Sequence, residues 1–122
     1  MLKLNLETRK MGDVIIVCCR GRIVYRDEAA ALSHVVSDVL EHSNGIVLDL
    51  SGVSGMDGVG MGKLALLQSR AMGRSVSLKF AAPNPLVRNL LGLTNLDRVL
   101  EVHSSLEAAL ESFYEQQVCA GC

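Results

Sequence analysis

Between Ser51 and Gly62 the chain reads Ser-Gly-Val-Ser-Gly-Met-Asp-Gly-Val-Gly-Met-Gly, five glycines around a single aspartate. Glycine lets a backbone turn sharply and approach another molecule closely. Asp57 is placed to cap a helix beginning near Val59, its carboxylate accepting from the free N–H groups of Val59 or Gly60. A helix N-terminus also attracts phosphate. Here Asp57 already supplies the anion, and no Lys-Ser/Thr follows as a P-loop requires, so a nucleotide site is only weakly signalled.

Thiol chemistry is the second candidate. Cys119 and Cys122 form a C-x-x-C pair, the spacing of a redox couple or half a metal site. A second pair is missing, and the histidines are limited to His34, His42 and His103. The pair therefore reads as two thiols in a terminal tail, with a small redox or metal protein kept as the alternative of another class. Cys18-Cys19 sit inside an apolar run, where adjacent strand residues point to opposite faces; they read as core residues that do not bridge each other. The histidines read as surface residues. No Ser/His/Asp or Cys/His set assembles, and no carboxylate pair is marked for acid–base work. The expectation is a non-enzyme with no cofactor and no metal.

The elements that must position the glycine-rich stretch follow from periodicity. Leu2, Leu4 and Leu6 alternate, and residues 13–19 form a second strand after a Met11-Gly12 turn, together a hairpin. Gly21 is expected to break that run. Leu32, Val35, Val36, Val39 and Leu40 fall at i, i+3, i+4, i+7 and i+8 in a helix capped near Asp27 and stopped at Asn44-Gly45. Residues 46–50 read as a buried strand, 51–58 as a loop, 59–72 as a helix and 76–81 as a strand. Pro85 opens a short helix that Gly92 closes; a last strand covers 99–102. Ser104 to Glu107 has capping-box spacing for a final helix burying Leu106, Ala109, Leu110 and Phe113.

The order β-β-α-β-α-β-α-β-α predicts an α/β fold with a mixed, mainly parallel five-stranded sheet and about four helices. A chain of 122 residues is one domain by length, taken as residues 1–117 with a flexible tail at 118–122. Hydrophobic residues make up 49%, yet the apolar runs are strand-sized, and the start of the chain lacks a signal peptide's pattern. A soluble, cytoplasmic protein without membrane insertion is expected. Twelve basic residues nearly cancel thirteen acidic ones, and the aromatics are only Tyr25, Phe80, Phe113 and Tyr114, which disfavours nucleic acid. An edge strand and an apolar helix face permit a homodimer.

Three stretches together carry a family likeness. They are Gly21-Arg22-Ile23-Val24; Val47-Leu48-Asp49-Leu50-Ser51-Gly52-Val53 running into Met56-Asp57-Gly58-Val59-Gly60-Met61-Gly62; and residues 93–102, from Leu93-Thr94-Asn95-Leu96 to Glu101-Val102. The chain resembles the STAS domains of bacterial anti-sigma-factor antagonists over nearly its whole length. The middle stretch is similar to that family's Met/Ile-Asp-Ser-Ser-Gly-Leu-Gly signature.

The resemblance implies a STAS-type fold and a protein partner, an anti-sigma factor of serine-kinase type, whose capture frees a sigma factor. It also implies a switch: the kinase phosphorylates the second signature serine, and the added charge disrupts docking. This sequence departs at that point. The two serines align with Gly58 and Val59, and valine has no hydroxyl to phosphorylate. Ser51 and Ser54 lie earlier and are weak substitutes. The expected docking surface is Asp57, Gly58, Val59, Gly60 and Met61, continued by Ala65, Gln68 and Met72 along the helix and by Ile23 and Tyr25 in the 23–27 loop. Because the serine is missing, a STAS subunit of a transporter or stress-sensing assembly is the alternative within the fold. A phosphoacceptor receiver domain is rejected: Asp49 sits within its strand and no acidic pair follows Cys19.

Overall fold

The structure is a computed structural model and describes residues 4–120. Strands β1 (Leu4–Met11) and β2 (Val14–Ile23) form an antiparallel hairpin across Gly12, whose φ of 61° is one that glycine adopts without cost. The chain continues through α1 (Tyr25–Leu40), β3 (Gly45–Met56), α2 (Gly58–Gly73), β4 (Ser77–Ala81) and α3 (Pro85–Leu93). A 3-10 turn (Leu96–Arg98), β5 (Val102–His103) and α4 (Leu106–Ala120) complete it. The strands lie in chain order, β1-β2-β3-β4-β5, and every pairing after the hairpin is parallel. The expected α/β architecture is the one observed.

Two-residue alternation divides the core between the faces of the sheet. Val17 and Cys19, Ile46, Leu48 and Leu50, and Leu78 and Phe80 point to one face, against Leu32 and Val36 of α1, Leu64 and Leu67 of α2, and Val87 and Leu91 of α3. Ile16, Val47 and Ala81 point to the other, against Ala109, Leu106, Leu110 and Phe113 of α4. Ala109 is fully buried there and its three apolar neighbours are half-buried. Cys18 and Cys19 are free thiols on opposite faces, as the alternation requires. Burial pushes the Cys19 thiol up to about 12, with the Asp49 carboxylate and Cys18 adding to the shift.

Several boundaries differ from expectation. Gly21 (φ 111°) does not end β2, and residues 51–56 are not a loop. Arg20, Gly21, Arg22 and Ile23 pair with Gly52, Val53, Gly55 and Met56, and two register shifts absorb the irregular spacing. Burial of Val53 and Met56 holds this extension, so glycine content here marks bulged strand rather than loop. Helix α1 begins at Tyr25, after Val24 and without a side-chain cap; Asp27 lies in its first turn instead. Gly92 lies inside α3, which Asn84 caps by accepting from Val87 N–H at 2.8 Å, with Pro85 at its first position. The last strand is Val102–His103, because the 3-10 turn leaves Val99 exposed and drops Leu100 into the core. Ser105, not Ser104, caps α4, its Oγ accepting from Ala108 N–H at 3.0 Å. The backbone of α4 continues to Ala120, into the segment assigned to the tail.

One side chain on the α4 face escapes any periodicity argument. Lys79 is only 1% exposed. Its Nζ donates to Ser112 Oγ at 2.6 Å, pairs with the Glu101 carboxylate at 3.0 Å and lies 4.4 Å from the Phe113 ring centroid. A buried ammonium is tolerable only with such partners. His103 Nε2 shares the same Glu101 oxygen at 2.7 Å, so it is not the isolated surface histidine expected. Burial alone would raise the Glu101 carboxyl, but the hydrogen bonds and charges of His103 and Lys79 outweigh it and hold the group below its usual value of 4.5. A depressed carboxylate contributes stability that is present above the unfolded value and lost as pH falls through the folded one. Chemical denaturation of wild type should therefore lose stability as pH drops below about 4.5. Glu101→Gln should be less stable at neutral pH and show a flatter acid limb; an unchanged limb would remove Glu101 from the titration.

Candidate functional site

Helix α2 begins where β3 ends, and its first turn is seated on the end of β2. Asp57, extended at φ −109° and ψ −176°, is the N-cap; its Oδ1 accepts from Gly60 N–H at 2.9 Å. The Asp57 N–H donates to the Ile23 carbonyl at 3.4 Å, and the Asp57 carbonyl accepts from Met61 N–H at 2.9 Å. A Cβ on Gly60 would lie 2.3 Å from that same Ile23 oxygen. Close seating of the helix on the strand thus needs a residue with no side chain.

This seating sorts the expected site residues. Gly60, Leu64, Leu67 and Ala71 turn inward and are buried. Ile23 is also fully buried, which corrects its assignment to the docking surface: it is the support under the helix. Gly60 is likewise buried, packed against the Ile23 carbonyl. Val59, one position earlier, is 51% exposed, with Gly58 open beside it. Met61, Ala65 and Gln68 are half-buried along one flank, Met61 Sδ accepting from Thr94 Oγ1 of the α3 end at 3.9 Å. Met72 closes that flank at 69% exposed. Gln68 Oε1 is a buried acceptor without a hydrogen-bond partner among the described residues. The Tyr25 backbone opens α1 close to this tip.

The structure adds residues that the sequence reading omitted. Leu66 is exposed, seven positions after Val59 and so on the same outward row, with Gly62 between them. That spacing was a usable signal. Leu86 and Leu93 of α3 are exposed as well. Together these give the helical side several large apolar side chains in water.

Other candidates do not join the site. Ser54 Oγ donates to the Gly21 carbonyl at 3.3 Å, and Ser51 N–H donates to Asp49 Oδ1 at 3.0 Å; both serines belong to β3, short of the helix tip. Cys122 lies outside the described residues, as does the side chain of Cys119. Among the described residues no three His, Cys, Asp or Glu side chains come together to hold a metal. No helix of the described residues is long and apolar enough to cross a membrane.

A family model described as the STAS domain matches residues 5–109. No curated protein sequence matches the chain. Among solved structures, an anti-sigma factor antagonist from Mycobacterium paratuberculosis is similar at a TM-score of 0.81 and 24% identity, over 89% of this chain and 92% of that one. SpoIIAA, the Bacillus anti-sigma factor antagonist in its unphosphorylated form, is similar at 0.74 and 13% identity, over 91% and 97%. The murine anion transporter Slc26a9 contains a region similar at 0.70 and 21% identity, covering 84% of this chain and 18% of the transporter. These likenesses establish the fold.

The geometry sets opposite expectations for two nearby glycines. Gly60→Ala must displace the Ile23 carbonyl and should cost about 1–3 kcal/mol. Gly62, with nothing within 4 Å of an added Cβ, should gain about 0.5–1 kcal/mol as alanine through helix propensity. Urea unfolding of both variants checks this, and equal effects would dissociate Gly60 from the seating of α2.

Proposed function

The chain belongs to the STAS domain family, and on that footing we propose that it is a non-catalytic docking module whose partner surface is the tip and exposed side of α2. The observation that carries this reading is Val59: half-exposed, on the second position of a helix held rigidly by Asp57 and Gly60. A large apolar group fixed in water at a helix tip costs the free protein and favours a bound one. Asp57 and Gly58 border it, and Leu66 extends the apolar row along the helix.

The proposed partner is an anti-sigma factor of serine-kinase type, whose capture would release a sigma factor in the cytoplasm. Support comes from the family and from the anti-sigma factor antagonists that share the fold. Residue 59 offers no hydroxyl, so a kinase partner has no switch at this position. The module would stay competent to bind and be regulated by its own abundance. A second reading, a STAS unit serving a transporter or a stress-sensing assembly, draws on the same missing hydroxyl and on the Slc26a9 likeness.

Val59→Asp tests the surface. A carboxylate at the second helical position is compatible with the helix dipole, so folding should hold. Placed in a dry interface beside Asp57, it should weaken partner binding by about tenfold to a hundredfold. Affinity capture from the source lysate, wild type beside Val59→Asp, should enrich a kinase-type anti-sigma factor with wild type alone. Transporter or assembly subunits in its place would select the second reading. Capture that is indifferent to the substitution would overturn the assigned surface.

A further inference from the structure

The sheet has unequal edges. At one, β5 pairs through only Val102 and His103 and lies beside α4. At the other, β1 runs for eight residues with an outer edge that no strand among the described residues pairs. Its register against β2 is unbroken from Leu4 to Met11, with no bulge and no proline. Long, regular, open edges recruit further strands, and proteins ordinarily blunt them with bulges, prolines or charge. Charge is the one device here, and its pattern is not repulsive in every arrangement.

Register places Glu7 opposite Cys18 and Arg9 opposite Ile16, on the sheet face that α4 covers only in part. Both side chains are exposed, and neither has an ion-pair or hydrogen-bond partner among the described residues. Thr8 lies between them. If two β1 strands meet antiparallel about Thr8, each Glu7 faces Arg9 of the other copy, and the two threonines face each other. Opposite charges and Thr–Thr pairs are both favourable across strands. Sliding by two residues in either direction sets Glu7 against Glu7 or Arg9 against Arg9. Parallel pairing in register does both. Self-complementarity about a two-fold axis is what an isologous dimer requires.

We propose that the chain forms a two-fold dimer by antiparallel pairing of β1 with β1 about Thr8, giving one continuous sheet of two copies. The axis stands normal to the sheet, so all the α1–α3 layers lie on one side. The body of α2 packs over β3 and β4, and its first turn is seated on the end of β2 at Ile23. The proposal is independent of the identity of the docking partner.

Sedimentation of the full chain over a range of concentrations should give a monomer–dimer equilibrium. Glu7→Arg should raise the dimer dissociation constant on the order of tenfold or more, since two attractive pairs become repulsive. Arg9→Glu should do the same, and the double exchange Glu7→Arg with Arg9→Glu should restore association. Circular dichroism of each variant confirms the fold. Under mild oxidation Thr8→Cys should cross-link beyond the wild-type level, whereas Asn5→Cys, ~20 Å from its own copy in this register, should not. A chain that stays monomeric to about 1 mM overturns the proposal and leaves the edge to a strand of some other protein. A dimer indifferent to both single charge reversals overturns it too, and moves the association to another surface.

Discussion

The carbonyl of Ile23 is where the two halves of the site meet. It accepts from Asp57 N–H and sits under Gly60, which can approach only because glycine has no Cβ. From that contact the direction of α2 follows, and from its direction the division of its residues into buried and open rows. Val59 is exposed because Gly60 is buried: neighbours on a helix stand about a hundred degrees apart. A side chain at 60 would lift the first turn off β2 and turn the whole outward row.

What could be read from the sequence depended on how local the determining physics was. Alternation and helical spacing reported the hairpin, α1, the helix that became α2 and the proline start of α3, since each is decided within a few residues. The continuation of β2 and β3 to Ile23 and Met56 was not legible, because bulged pairing between distant residues is decided by the partner strand. Gly52 and Gly55 look like loop when read alone; paired with Arg20 and Arg22 they are sheet. The displacement of the last strand has a similar origin, a left-handed Asn95 and a 3-10 turn that shift the chain so Leu100 can be buried.

The site divided along the same line. Asp57 as cap and the outward position of Val59 followed from local rules. Ile23 was misplaced because a residue beside a glycine break looks like loop until its strand is seen to go on. Leu66 was missed although its spacing from Val59 gave it away. Lys79 is the deepest omission: one lysine in an otherwise apolar strand carries no mark of whether it will find a carboxylate, a hydroxyl and a ring around it. Those partners arrive from the approach to β5 and from α4, more than twenty residues later.

That the strands lie side by side in the order they are made has a kinetic meaning. Every pairing closes a single turn or crossover, so contacts stay near in sequence for a mostly parallel sheet, and the entropic toll of loop closure is met in small instalments. The hairpin, α1, β3 and α2 contain everything that seats Val59, and they are all synthesised before Lys79. The end of the molecule that carries Val59 is therefore made before the helix that will cover the opposite face of the sheet. The seat of Val59 is, in this chain, specified within the first three-fifths of its length.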